Sequence, residues 1–173
     1  MQNIILEAIK KRRSIREFTP ESVDRDALYA IITAGIRAPS GKNNQPWRFV
    51  IVYDKDIKNR LAGQTLYKHI VIAAPVLIAV YLDSDAMYDM AKDHQSAGAC
   101  IENMLLAAES LGLGGVWLGQ IRNNRENVNR ILDISERYEL VAVVAIGHPA
   151  HRNQQSHRKS LPEFILKEFG GTQ

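Results

Sequence analysis

The longest apolar run in the chain, Ile70 to Leu82, is 13 residues long and carries Pro75 inside it. A helix that crosses a bilayer needs about 20 apolar residues, so this run is too short to span one. Pro75 stops any helix that reaches it, and the stretch that contains it, "APVLIAVYLD" at 74–83, reads as a well-buried strand. Three more stretches read as strands: "RFVIVY" at 48–53, dominated by β-branched and aromatic residues, the short "GGVWLG" at 114–119 and "ELVAVVAIG" at 139–147. Helical periodicity fills the intervals. Ile5, Ala8 and Ile9 share a face over residues 3–11. Asp24 is the expected N-cap of a helix reaching about Arg37, with Leu28, Ile31, Ile32, Gly35 and Ile36 inward and Pro39 blocking its continuation. A short helix near 56–63, a long one over 94–111 and a third over "RENVNRILDI", capped by Asn123 or Asn124, complete the set. In the long helix Ala97, Ile101, Met104, Leu105 and Ala108 line one side, and Gly112 stops it. Helices first, then strands and helices mixed, describe an α+β or α/β sandwich around a sheet of about four strands.

The 173 residues suit one compact domain, 1–173, and a composition of 46% hydrophobic and 24% charged residues excludes extensive disorder. A single cysteine, Cys100, rules out an internal disulfide and fits a reducing compartment. Its apolar helical neighbours mark it as a small core residue rather than a nucleophile. In "MQNIILEAIKKRR" the basic residues come after the apolar ones, the reverse of a secretory signal, so the expected location is the cytoplasm. With 22 basic against 19 acidic residues, the net charge of +3 is too small to argue for a nucleic-acid partner, and no membrane partner is expected either.

Several chemistries are poorly supported. The glycines of "LGLGGVWLG" come after a helix and precede a strand, the reverse of the dinucleotide-binding order, and there is no G-x-x-x-x-G-K-[ST] phosphate loop. Gly112 is explained by a tight turn. Gly114 and Gly115 together are explained less well, and they allow a backbone to approach a flat ligand closely. His69, His94, His148, His151 and His157 complete no zinc set. Ser14 and Ser40 lack the setting of a nucleophilic serine.

That leaves "RRSIREF" at 12–18, where Arg12, Arg13 and Arg16 emerge at a turn with Ser14 among them. A solvated charged face is one reading. Arginine forks and a hydroxyl also suit a phosphate group. A second basic group, "HRK" at 157–159, could converge with them on a phosphorylated planar cofactor. Beyond the last strand, "LPEFILKEF" is apolar without an evident partner, which suits docking on another subunit as well as packing back on its own domain.

"RRSIREF", then "APSGKNNQPWRFVIV", then "LLAAESLGLGGVWLG" in this order resemble the flavin-dependent nitroreductase family over about residues 4–165. The resemblance implies a three-layer α+β sandwich with a central mixed, mostly antiparallel sheet of about four strands. It also implies a homodimer whose C-terminal arm, about 151–173, is exchanged between subunits, with FMN bound tightly and non-covalently at the interface. By the same likeness Arg12, Arg13, Ser14 and Arg158 would hold the phosphate and ribityl region, while Arg16 would sit at the pyrimidine end and stabilise negative charge on the reduced flavin. Pro39, Ser40, Gly41, Asn43 and Gln45 would reach the flavin from the opposite subunit. The backbone from Gly115 through Leu118 to Gly119, with Trp117 beside the ring, would donate toward O4 and N5. The implied reaction is ping-pong: NADH or NADPH gives hydride to FMN, then a small-molecule acceptor such as a nitroaromatic or quinone takes it, with no catalytic amino acid required. A flavin storage or sensing module is the rival reading. Tyr53 to Gln95 is short and lacks an obvious insertion like the recognition lid of substrate-specific relatives; "LAGQTLYKHI" reads as an amphipathic connecting helix in preference to a modest substrate cover, and the lid question stays open. The physiological acceptor and the choice between the two nicotinamides stay open.

Overall fold

The computed structural model describes residues 3–170. Four strands, β1 (Trp47–Val52), β2 (Val76–Asp83), β3 (Gly114–Leu118) and β4 (Tyr138–Gly147), form one sheet in the order β1-β2-β4-β3. All three pairings are antiparallel. The parallel component of the expected mixed sheet reduces, among the described residues, to a single bridge between Ser14 and Gly115. Both central strands are apolar at successive positions because helices cover both faces. On one face Leu28 and Ile31 of α2 (Arg25–Gly35) and Ile101 and Met104 of α5 (Met90–Ser110) pack against Ile78, Val80, Val144 and Ile146. On the other, Leu61 of α3 (Lys55–Ala62), Ile70 and Val71 of α4 (Lys68–Ala73) and Val128 of α6 (Arg125–Leu132) cover Leu77, Ala79, Val143 and Ala145. Each fully buried Val, Leu, Ile or Met among them stabilises the fold by about 1.5–3 kcal/mol.

Local chemistry sets the helix ends. The Asp24 carboxylate accepts from the N–H groups of Asp26 and Ala27, capping α2 as its position predicts. Gly112 takes φ +75, and Leu113 N–H donates to Ala108 O at 2.9 Å, so the glycine does end α5. Three expectations shift. The long helix begins at Met90, four residues before 94, with Asp89 as its cap. Asn124 occupies the N-cap position of α6, but its side chain makes no capping hydrogen bond; its amide donates to Gln64 O at 2.9 Å. "LAGQTLYKHI" is divided between α3 and α4 by turns at 63–67. The first helix, α1 (Ile4–Lys11), buries none of its residues and leaves Ile4, Ile5, Leu6 and Ile9 exposed.

Candidate functional site

The "RRSIREF" segment is laid along the outer edge of β3. Ile15 N–H donates to Gly115 O at 3.0 Å, and Thr19 N–H to His148 O at 2.9 Å. Ile15 is 1% exposed and sits against Gly114, where a Cβ would come within 2.5 Å of Ile15 Cγ1. A Cβ on Gly115 would fall 2.8 Å from Ile146 Cδ1. The glycine pair thus has a packing reason, close seating of this segment and of the core, in addition to any ligand it serves.

The three arginine side chains make separate contacts within the chain. Arg12 Nε lies 3.3 Å from Glu102 Oε1 on α5. Arg13 turns back to donate to the carbonyls of Lys10 and Arg12, and lines a cavity of about 320 Å³ with Ile15, Lys11, Glu109 and Arg152. Arg16 is exposed, donating only weakly to Ser14 O at 3.4 Å. Arg158 is exposed on the C-terminal arm and contacts only its neighbour's carbonyl.

Beyond Gly115 the β3 edge is open. Because Gly115 O faces outward, the two-residue period of the strand turns the Trp117 backbone groups the same way. Gly119, just past the strand end, is helical and its carbonyl accepts from Arg122 N–H at 3.2 Å. Leu118 points into the core, while Trp117 is 40% exposed and rests on α5 beside Gly98.

The loop after α2 is held in an unusual shape. Lys42, Asn43 and Gln45 have φ of 54, 54 and 47, left-handed conformations that cost of order 1 kcal/mol each for residues other than glycine. Gln45 N–H donates to Ser40 Oγ, and the Gln45 amide to Asn43 O. Pro39 and Asn43 are exposed, Ser40 and Gly41 half-buried. The anchor is Asn44, whose amide donates to Ala86 O at 2.9 Å and to Asp93 Oδ1 at 2.8 Å. Asp93 is fully buried, and its other oxygen accepts from the N–H groups of Tyr88 and Asp89. Sequence reasoning misses both residues. The available signal is position, since Asp93 precedes Ala97 by one helical turn and continues the inward stripe of α5. Within one chain, no hydrogen bond or ion pair among the described residues joins this loop to residues 12–16.

Three carboxylates are held in their charged form. Burial alone would push Asp93 up, but Asn44, the Asp89 and Tyr88 amides and His94 outweigh it and lower it. Glu139 is likewise raised by burial and lowered more by Arg122 and His94. At Asp83 the two hydrogen bonds from Arg137 lead, against burial, with the Asp85 amide and Arg48 adding to the lowering. All three are depressed when folded, so their stabilisation is complete above the unfolded carboxylate range, about pH 4, and is lost as pH falls through the folded values. The urea midpoint should therefore be level from pH 7 to 5 and fall below pH 4, with a shallower acid limb in Asp93→Asn; an acid limb unchanged in that variant would remove Asp93 from the account. Burial pushes the Cys100 thiol up to about 12, which fits an inert core residue.

A model of the nitroreductase family matches residues 9–66 and 61–148. The chain is 34% identical over 148 residues to a candidate NADH dehydrogenase/NAD(P)H nitroreductase of Methanothermobacter thermautotrophicus, covering 84% of this chain and 78% of that one. It is 31% identical over 176 residues to the NADPH-flavin oxidoreductase of Vibrio harveyi, covering 95% and 72%. The crystal structure of a candidate nitroreductase from Desulfovibrio desulfuricans in complex with FMN superposes with a TM-score of 0.94 at 46% identity, covering 99% of this chain and 100% of that one. The chain belongs to the nitroreductase family.

Proposed function

We propose that the protein is an FMN-dependent NAD(P)H oxidoreductase, a homodimer that reduces small electron-poor acceptors such as nitroaromatics or quinones by a ping-pong sequence. The observation that carries this reading is the β3 edge, open at Trp117 among the described residues, running on from the seated Arg12–Ser14–Arg16 segment toward the turn that starts at Gly119. It offers backbone donors for a flat heterocycle and cations for its phosphate, a donor set that fits FMN. FMN, when bound, supplies the two-electron chemistry that passes hydride from NADH or NADPH to the acceptor. The chain's own residues bind and orient it: Arg12, Ser14 and Arg158 at the phosphate, Trp117, Leu118 and Gly119 along the ring. Arg13, turned toward its own cavity, contributes positive potential rather than a direct contact. The FMN complex of the Desulfovibrio relative and the flavin reduction named for the Vibrio relative support the assignment.

Dimerisation has its own support. Ile4, Ile5 and Ala8 of α1 line an apolar groove of about 560 Å³ with Ala34, Leu106 and Ala107. On the C-terminal arm, Leu161, Phe164, Ile165, Leu166 and Phe169 are all exposed, Leu166 completely. Surface of this kind belongs at an interface. A second chain packed there would bring the strained loop, with Pro39, Ser40, Gly41, Asn43 and Gln45, to the flavin of its partner.

Anaerobic absorbance titration of the purified protein with NADH and with NADPH tests the reading. Bleaching of bound flavin within the mixing time is expected; a protein that cannot be loaded with FMN would overturn it, and one whose flavin resists both donors would favour the storage module. A second expectation concerns Arg16, exposed and therefore free to face the pyrimidine ring. Arg16→Ala should lower the flavin midpoint potential by on the order of 30 mV, a tenfold change for a two-electron couple. An unchanged potential would take Arg16 away from the ring.

A further inference from the structure

The strained loop carries a feature that the flavin site does not use. Tyr88 packs directly on Gly41: a Cβ there would lie 2.0 Å from the Tyr88 hydroxyl and 2.4 Å from its ring atoms. Two ammonium groups converge on this ring, Lys42 Nζ at 5.0 Å and Lys92 Nζ at 5.5 Å from its centroid. The ring and Lys92 line a cavity of about 410 Å³ whose other walls are Pro39, Ser40, Gly41, Gln95, Ser96 and Ala99. The charge is only partly cancelled. Asp89 approaches Lys92 at 3.7 Å while capping α5, and both oxygens of Asp93 are taken up inside. Lys42 has no carboxylate within ion-pairing distance among the described residues. It projects from a left-handed residue, a conformation that the loop maintains against its intrinsic preference.

We propose that Lys42, Lys92 and Tyr88 form a clamp for the anionic group, phosphate or carboxylate, of a flat substrate that enters between this loop and the flavin. This rests on the oxidoreductase reading and on the loop's reaching the flavin. Tyr88 localises the two flexible lysines, so less side-chain freedom is lost when the anion arrives. The anion has two sources, the adenosine 2′-phosphate that distinguishes NADPH from NADH and a carboxylate on the acceptor.

The test uses the FMN-loaded dimer and four substrates. kcat/KM is measured for NADPH and NADH, and for 4-nitrobenzoate and nitrobenzene, in the wild type, in Lys42→Gln/Lys92→Gln and in Lys42→Arg/Lys92→Arg. The ratio of the more anionic to the less anionic substrate in each pair, NADPH over NADH and 4-nitrobenzoate over nitrobenzene, should fall roughly tenfold in the glutamine variant, the scale of two solvent-exposed charge pairs. It should return with arginine, and it should shrink in the wild type as salt is raised. A fall confined to the nicotinamide pair assigns the clamp to the donor's phosphate. One confined to the nitro pair assigns it to the acceptor. Ratios unchanged in both pairs, or a fall that arginine does not restore, overturn the clamp while leaving the oxidoreductase intact. A wild-type flavin that neither nicotinamide reduces is a different failure: it refutes the oxidoreductase reading, and the clamp falls with it.

Discussion

Replacing Asp93 with alanine is expected to cost about 3 kcal/mol and to lower the melting temperature by on the order of 10 °C. The side chain is fully buried and gathers three donors, the Asn44 amide and the N–H groups of Tyr88 and Asp89. Alanine removes the acceptor of the Tyr88 and Asp89 N–H groups and leaves the Asn44 amide with Ala86 O alone, and an unmade buried hydrogen bond costs more than a made one contributes. The effect extends to function because Asn44 is the anchor of a loop that holds three residues at positive φ. Once that anchor is gone, Lys42, Asn43 and Gln45 can relax to ordinary conformations, so FMN should dissociate faster than in the wild type even well below the melting temperature. Asp93→Asn is the informative partner. Its oxygen can still serve Tyr88 and Asp89, and its amide would face the unpartnered Oδ1 of Asn44 if that side chain turned over, at the expense of the bond to Ala86. A smaller loss, about half that of alanine, is expected. Equal losses in the two variants, read from urea denaturation and flavin release, would mean that the negative charge matters more than the hydrogen bonds.

The second large effect belongs to Gly114. In Gly114→Ala the new methyl meets three atoms of Ile15 at 2.5 to 2.9 Å, among them its Cβ. These are not the free end of a flexible chain. Ile15 is branched at that carbon, buried, and tied through its N–H to Gly115. The strand cannot yield because its other edge is paired to β4, so the "RRSIREF" segment must lift. Overpacking of this kind costs about 1–3 kcal/mol. The diagnostic consequence is separation of Arg12, Ser14 and Arg16 from the β3 edge, with FMN affinity falling at least tenfold. Retained affinity in a folded Gly114→Ala protein would show that the arginines hold their ligand independently of how they are seated.

Much of this architecture can be read from short stretches of sequence. β2 and β4 announce themselves by apolar runs rich in β-branched residues, Asp24 by its place before a periodic segment, and Gly112 by its place after one. The sheet's order and the way the Arg13 side chain turns back onto the Lys10 and Arg12 carbonyls cannot be read that way, since they depend on which edge the segment meets. The Asn44–Asp93 bond joins residues 49 positions apart, and nothing near either residue in sequence names the other. Tyr88 is similar: its role comes from the bare backbone of Gly41, which the family pattern marks as a ligand contact. α4 escapes because its six residues are too few for a periodic pattern to accumulate.

The order of the strands in the sheet has a consequence for how the chain is made. β4 is the last strand to be synthesised, yet it lies between β2 and β3 and pairs with both. Until Tyr138–Gly147 has left the ribosome, the nascent protein holds a β1–β2 ribbon and a solitary β3, each with an unpaired apolar edge. Insertion of β4 closes both edges at once and completes the core on both faces. The chain is therefore committed to wait for most of its length before it can fold, and it is most vulnerable to mispairing with neighbouring chains just before that strand emerges.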